Sequence, residues 1–331
     1  MRVSSQNSGS VTKATVIPAS VVFMGTPEFA VPSLEVVAAL DGMEIGCVVT
    51  QPDRPAGRGH RLQPSAVKQR ALELGLPVWT PENLKSERDQ ARLRELAPDV
   101  LVVVAYGEIL RRAVLDIPRH GALNVHASLL PRHRGAAPIA GALLAGDDVT
   151  GVTVMLMDEG MDTGPILATR PLPIRPEHTR ATLAEALSQA GAALLAETLP
   201  RWLAGEIEPQ PQEHDAATYT RLIRKEHGEL DWGRPARELA NQVRAFDPWP
   251  GTFTTWDGQL LKVLQAAVLH EDQGCPTSAA PGAVARVAGR VAVATGNGWL
   301  ELQTVQLAGK RAMSADDFVN GYREIVGSRL G

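Results

Sequence analysis

Asp99-Val-Leu-Val-Val-Val-Ala105 is the stretch on which the fold turns. Residues 100–104 are all valine or leucine, with no polar residue to mark a wet face. Such a run reads as a strand covered on both sides, the environment of a parallel sheet. Upstream, Val21-Val-Phe-Met-Gly25 reads as a second such strand ending in a turn. Thr26-Pro27 then opens a helix as far as residue 40, since proline is at home in a first helical turn. Residues 45–50 suit a strand, 64–75 a helix and 77–80 a short strand. Downstream, residues 123–127 and 151–157 are further strands and residues 180–203 a long helix. Strands alternating with helices in this way define βαβ units, and the fold expected is α/β with a Rossmann-like open parallel sheet.

The character of the chain changes after residue 206. A polar stretch with Pro209 and Pro211 suits a joining segment, placed at residues 208–226. Beyond it, residues 234–245 look helical. Short alternating runs follow at 252–256, 260–267, 282–287, 290–294 and 299–307, and residues 315–326 again look helical. About five short strands separated by turns point to a small OB-like β-barrel over residues 227–331. The first unit then occupies residues 20–207.

Composition narrows the function classes only a little. The chain has 331 residues, 44% hydrophobic and 21% charged, with a formal net charge of -4. That balance gives no global sign of a nucleic-acid partner, although a local basic patch suffices to hold phosphates. Cys47 and Cys275 lie far apart, offering neither a disulfide framework nor a metal-ligand set, and no H-E-x-x-H spacing occurs. The expectation is no metal and a reducing, cytoplasmic setting. No apolar run reaches the roughly 20 residues needed to span a bilayer. Residues 1–19 are polar and serine-rich without an apolar core, and are expected to be a disordered extension.

The chemistry is most legible in Gly121-Ala-Leu-Asn-Val-His-Ala-Ser-Leu-Leu-Pro131. On a strand, Asn124 and His126 project from one face, with Leu123 and Val125 on the other. A polar pair on a buried strand needs partners or must line a cavity. It also sits at the carboxyl end of its strand, where open α/β sheets place ligands. A second polar group, Met157-Asp-Glu-Gly-Met-Asp-Thr-Gly164, follows another apolar strand. Each acid there, taken singly, reads as a solvated turn residue; an amide, an imidazole and a carboxylate together point to acyl transfer without a covalent enzyme intermediate. Asn124 can donate to a carbonyl oxygen as it becomes an oxyanion. His126 can stabilise that oxygen if protonated, or relay a proton if neutral. Asp162 can orient the imidazole, or take a proton from an attacking amine through water.

Asn124-x-His126, Ser128-Leu-Leu-Pro131, Arg134-Gly-Ala-Ala-Pro138 and the aspartate of Asp158-Glu-Gly-Met-Asp162-Thr-Gly164 resemble the signature of folate-dependent formyltransferases. The resemblance runs from Val21 to about Tyr322. It includes Met24-Gly-Thr-Pro-Glu-Phe-Ala30, Ala105-Tyr-Gly-Glu-Ile-Leu110, Arg244-Ala-Phe-Asp-Pro-Trp-Pro250 and Ala308-Gly-Lys-Arg-Ala-Met-Ser314. It implies a one-carbon transferase with 10-formyltetrahydrofolate as co-substrate and Asn124, His126 and Asp162 as catalytic trio. It implies folate contacts from Ser128, Leu129, Leu130 and Pro131 and from Tyr106, Gly107, Ile109 and Leu110. Arg111-Arg112 departs from the family pattern, at a position that flanks the site.

The trio alone does not select an acceptor. The loop Gln51-Pro-Asp-Arg-Pro-Ala-Gly-Arg-Gly-His-Arg61 is similar to the segment that the tRNA-acting branch of the family inserts into its substrate. Arginines on a glycine-rich backbone suit phosphates and base edges. The resemblance therefore implies methionyl initiator tRNA as acceptor and a role in translation initiation. Contacts are expected from Arg54, Gly57, Arg58, His60 and Arg61 on the loop, and from Lys262, Lys310 and Arg311 on the barrel. A monomer is expected. Two alternatives stand beside this reading: the same chemistry on a small amine such as a nucleotide sugar, and a non-catalytic RNA-binding protein on the same scaffold.

Overall fold

The computed structural model describes residues 18–56, 61–269 and 279–331. Residues 1–17 of the expected extension, the loop tip bearing Gly57, Arg58 and His60, and Cys275 lie outside the described residues.

In chain order, β1 (Ala19–Gly25) leads through a short 3-10 turn into α1 (Val31–Ala39) and β2 (Met43–Val49). A hairpin of β3 (Arg54–Ala56) and β4 (Arg61–Gln63) precedes α2 (Ala66–Glu73), β5 (Val78–Trp79) and α3 (Glu87–Glu95). Then come β6 (Val100–Val104), α4 (Arg112–Leu115), β7 (Ala122–His126), β8 (Arg134–Gly135), α5 (Pro138–Ala145), β9 (Val149–Leu156), β10 (Ile166–Pro173) and α6 (Arg180–Leu203).

The main sheet runs β10-β9-β7-β6-β1-β2-β5. Five strands from β5 to β7 are parallel, whereas β9 and β10 are antiparallel to their neighbours. The chain builds outward from β1 to β5, then returns to lay β6 on the other side of β1. That reversal puts a topological switch point between β1 and β6, where such sheets open a crevice. All five residues of β6 are buried, because alternate side chains enter two different cores. Val100, Val102 and Val104 pack with Leu123, Val125 and the apolar sides of α1 and α6. Leu101 and Val103 pack with Ala122, with Leu93 of α3 and with Val114 and Leu115 of α4.

Sequence reading finds these strands from their apolar runs and places α6 at its observed bounds. It does not find β10, whose Pro171 and Pro173 cannot donate to a ladder. The strand tolerates them because it lies at the sheet edge. Helix α2 starts where Ser65 caps it, its side chain accepting from the Lys68 backbone N–H.

The joining segment is tied down: β11 (Tyr219–Thr220) pairs with β8 in parallel, and Gln210 bridges Ile166. Then α7 (Ala236–Ala245) leads into β12 (Thr252–Trp256), β13 (Gln259–Leu269), β14 (Val284–Val287), β15 (Arg290–Ala294), β16 (Trp299–Leu307), β17 (Met313–Ser314) and α8 (Ala315–Gly321). The antiparallel order is β12-β13-β16-β15-β14, with β17 on β16. Register shifts around Gln265 bend β13. The last residues then stitch the two edge strands: Leu330 N–H donates to Gly282 O at 2.9 Å and Gly331 N–H to Thr255 O at 3.1 Å. Closing edges in this way gives the barrel-like form. Helix α8 stops at Gly321, earlier than the helical pattern predicts, so that Tyr322 can fold onto Phe318 and Trp256, with ring centroids 4.7 and 5.7 Å away.

Phe318 is 2% exposed and anchors this core. Phe318→Ala should cost about 3–5 kcal/mol, the usual range for emptying a buried aromatic site. Urea unfolding followed by tryptophan fluorescence checks it; a change under about 1 kcal/mol would mean that the aromatic cluster does not hold the barrel.

Candidate active site

Strand period explains the first half of the site. Asn124 and His126 share the face on which Ala122 enters the second core. Past Ala122 the described residues of that core do not include Asn124 or His126, the first of which is half-buried and the second nearly enclosed. His126 is 6% exposed. Its Nε2 lies 3.1 Å from the His133 carbonyl oxygen. A carbonyl can only accept, so this contact places a proton on Nε2 and leaves Nδ1 to face Asp162. That nitrogen lies 3.6 Å from Asp162 Oδ1. That separation is too long for a direct hydrogen bond and within ion-pair range for a protonated imidazole. The Asn124 amide is half-buried and, among the described residues, has no hydrogen-bond partner. It is free to serve a ligand.

Asp162 arrives by a route that sequence reading does not foresee. Because β9 is antiparallel to β7, with Leu123 opposite Leu156 and His126 opposite Thr153, the end of β9 lies at the wrong end of β7 for a simple strand-end cluster. The loop from residue 157 to 165 folds back over the sheet face instead. Asp162 sits in it at φ +54°, a left-handed conformation that aspartate tolerates better than most residues. Its Oδ2 accepts the Gly135 N–H at 2.7 Å, leaving Oδ1 for His126.

The turn after β7 is pinned from below. Thr153, wholly buried, donates its hydroxyl to Ser128 O at 2.7 Å and accepts Leu130 N–H at 3.1 Å. Ser128 Oγ donates to Arg132 O at 2.6 Å. These bonds hold the His133 carbonyl beneath His126. Sequence reading assigns no role to Thr153 or His133 and reaches Gly135 only within the motif at residues 134–138. A threonine in an apolar strand is the one signal that could have marked Thr153.

The expected folate residues divide by exposure. Ser128 and Leu130 are buried, whereas Leu129 and Pro131 are partly open. Tyr106 and Leu110 turn into the second core, so only their main chain is offered outward. Gly107 is exposed at φ +88° and Ile109 is 80% exposed. Burial, with the Glu108 and Asp89 carboxylates adding, pushes the Tyr106 phenol well above its ordinary range, so it stays neutral. Ile109 and Met161, at 80% and 58%, are among the most exposed large apolar side chains of this unit. A cavity of about 340 Å³ opens at the β1–β6 switch point, lined by Thr26, Gln51, Arg54 and Ala105 among others.

Of the expected tRNA contacts, Arg54 is exposed on the β3–β4 hairpin, its Nη2 donating to Gln51 Oε1 at 3.1 Å. Arg61 opens β4. Lys262 and Gln306 are cross-strand neighbours, and Gln306 Nε2 donates to Lys310 O at 2.8 Å. This brings Lys262 and Lys310, with Arg311 beside them, to one exposed patch of the barrel. None of these three side chains forms an ion pair with a described residue. Among the described residues no helix is long and apolar enough to cross a membrane.

Known proteins resemble both the earlier and the later part of this chain. Residues 19–199 match the formyl transferase family and residues 222–323 the formyl transferase C-terminal domain. The methionyl-tRNA formyltransferase of Roseiflexus castenholzii is 49% identical over 94% of this chain and 98% of its own length. That of Chloroflexus aggregans is 50% identical over 91% and 96%. An N-formyltransferase of Helicobacter canadensis, solved with folinic acid and dTDP-3-aminofucose, superimposes with a TM-score of 0.61 over 88% of this chain and all of that one. Its 17% identity makes that a likeness of fold. With its first unit matched nearly end to end and relatives about half identical along almost the whole length, the chain belongs to the formyl transferase family.

Proposed function

We propose that the chain transfers a formyl group from 10-formyltetrahydrofolate to the free α-amino group of methionyl initiator tRNA, a reading supported by relatives named methionyl-tRNA formyltransferase. The observation that carries the chemistry is His126 Nδ1 standing 3.6 Å from Asp162 Oδ1, with the unpartnered Asn124 amide two residues away on the same strand face. An α-amino group has a pKa of about 8, so an appreciable fraction is a neutral nucleophile near pH 7. The site needs to position that amine, stabilise the tetrahedral intermediate and remove a proton. Asn124 donates to the oxyanion, His126 does so when Nδ1 carries a proton, and Asp162 holds the imidazole or draws off the proton through water. Collapse of the intermediate releases tetrahydrofolate and leaves the formyl group on nitrogen. Residues 128–131 and 106–110 supply the folate site, the former through a pinned turn and the latter largely through main chain.

In this reading residues 20–207 are the catalytic unit, 208–226 the joint and 227–331 the tRNA-binding barrel. The protein acts as a monomer in the cytoplasm, where charged tRNA is made. Incubation with labelled 10-formyltetrahydrofolate and charged initiator tRNA should place label on methionine. A nucleotide sugar run in parallel should stay unlabelled; equal labelling of both would overturn the acceptor.

Arg54, Lys262, Lys310 and Arg311 are the described cations offered to phosphate. Four phosphate contacts should make log affinity for tRNA fall with log salt at a slope near -3, and Lys310→Ala should reduce that slope by about one. Filter binding between 50 and 200 mM salt, about the range over which such slopes are resolved, measures it. A flat salt profile would remove these residues from the interface.

A further inference from the structure

Gln212 lies between the two family matches, yet its side chain is 6% exposed. Every polar position on it is used. Nε2 donates to the carbonyl oxygen of Asp162 at 2.9 Å and to that of Gly164 at 2.7 Å. Oε1 accepts from Arg134 Nε at 3.1 Å and Nη2 at 2.6 Å. Arg134 is the bulkiest wholly buried side chain among the described residues. Among the described residues no carboxylate forms an ion pair with it; its remaining donors meet the Tyr219 hydroxyl at 3.1 Å and His214 Nδ1 at 3.3 Å. A guanidinium taken out of water is costly unless its donors are matched, so this arrangement is over-determined for a plain surface joint.

Its geometry has a specific consequence for the site. One amide grips the carbonyls on either side of Thr163, fixing the peptide plane that follows the left-handed Asp162 and the one that follows Gly164. Rotation there would swing Oδ1 away from His126. The other restraint on Asp162, the Gly135 N–H, belongs to β8, which pairs with Thr220 of the joint. A side chain added at Gly135 would collide with the Thr220 carbonyl, so that approach is close. Arg134 N–H likewise donates to Thr218 O at 2.8 Å. Both restraints on the carboxylate therefore depend on residues 212–220.

We infer that Gln212, braced by the buried Arg134, is a positioning residue that sets the orientation of Asp162 toward His126, so that the segment joining the two units holds the catalytic carboxylate in register. The inference rests on the formyl-transfer reading. Gln212 touches no reacting atom and acts only through the loop.

Gln212→Glu separates positioning from stability. It keeps length and gives Arg134 a stronger acceptor, but it removes both donors and sets an oxygen against two carbonyls. The folded variant should lose about tenfold to a hundredfold in kcat, the scale of a small misplacement of a catalytic group. KM for 10-formyltetrahydrofolate and for charged tRNA should stay within about twofold, the signature of a contact made good only in the transition state. Gln212→Met, of similar length without polar atoms, should show the same split, and serves if Gln212→Glu fails to fold. Wild-type kcat in either folded variant overturns the inference, as does a loss that appears wholly in KM. His126→Ala run beside them tells the two failures apart: full activity in that variant would sink the formyl-transfer reading itself, whereas an inactive His126→Ala with fully active Gln212 variants would sink only the positioning role.

Discussion

His126→Ala lowers kcat for formylation by about a hundredfold to ten-thousandfold, the contribution typical of a placed acid–base group, while affinity for charged tRNA changes little. The imidazole is nearly enclosed and is held from two sides, by the His133 carbonyl at Nε2 and by Asp162 opposite Nδ1. No other described imidazole lies against Asp162, so nothing nearby can substitute. The cations proposed to meet tRNA lie on a hairpin and on the barrel, remote in sequence from β7. Single-turnover formylation with enzyme in excess, together with filter binding of tRNA, checks both halves. Retained turnover would leave the scaffold as a binding protein.

Asp162→Asn should lower kcat by about a hundredfold or more with the fold intact, as seen when the carboxylate orienting a catalytic histidine becomes an amide. The carboxylate uses its two oxygens differently: Oδ2 accepts Gly135 N–H at 2.7 Å, and Oδ1 faces His126. An amide cannot accept at both ends. If its oxygen serves Gly135, an NH2 group faces the imidazole and no negative charge balances it. If it flips, two donors meet at Gly135 and the loop is pushed off its seat. Either outcome lowers kcat, and thermal melting distinguishes them, since only the second disturbs packing. A variant with unchanged kcat would show that Asp162 has no part in the chemistry.

The core of this molecule is written in short-range pattern. An unbroken apolar run at 100–104 can be satisfied only where both faces are covered, and that requirement makes a parallel strand without further information. Period two puts Asn124 and His126 on one face, and a capped amphipathic run gives α6 its observed span. What pattern does not carry is direction and return. The apolar run of β9 is the same read either way, so its antiparallel course, and the folded-back loop that brings Asp162 to His126, had to come from packing. The two-residue ladder of β8 with β11 is too short to leave any periodic trace. Gln212 looks like a solvated joint residue by type, because a glutamine's partners depend wholly on whether it is buried and what is buried with it. Local hydrophobic spacing is a property of neighbouring residues; the three-dimensional meeting of an amide, an imidazole and a carboxylate depends on contacts between segments tens of residues apart, which no local pattern encodes.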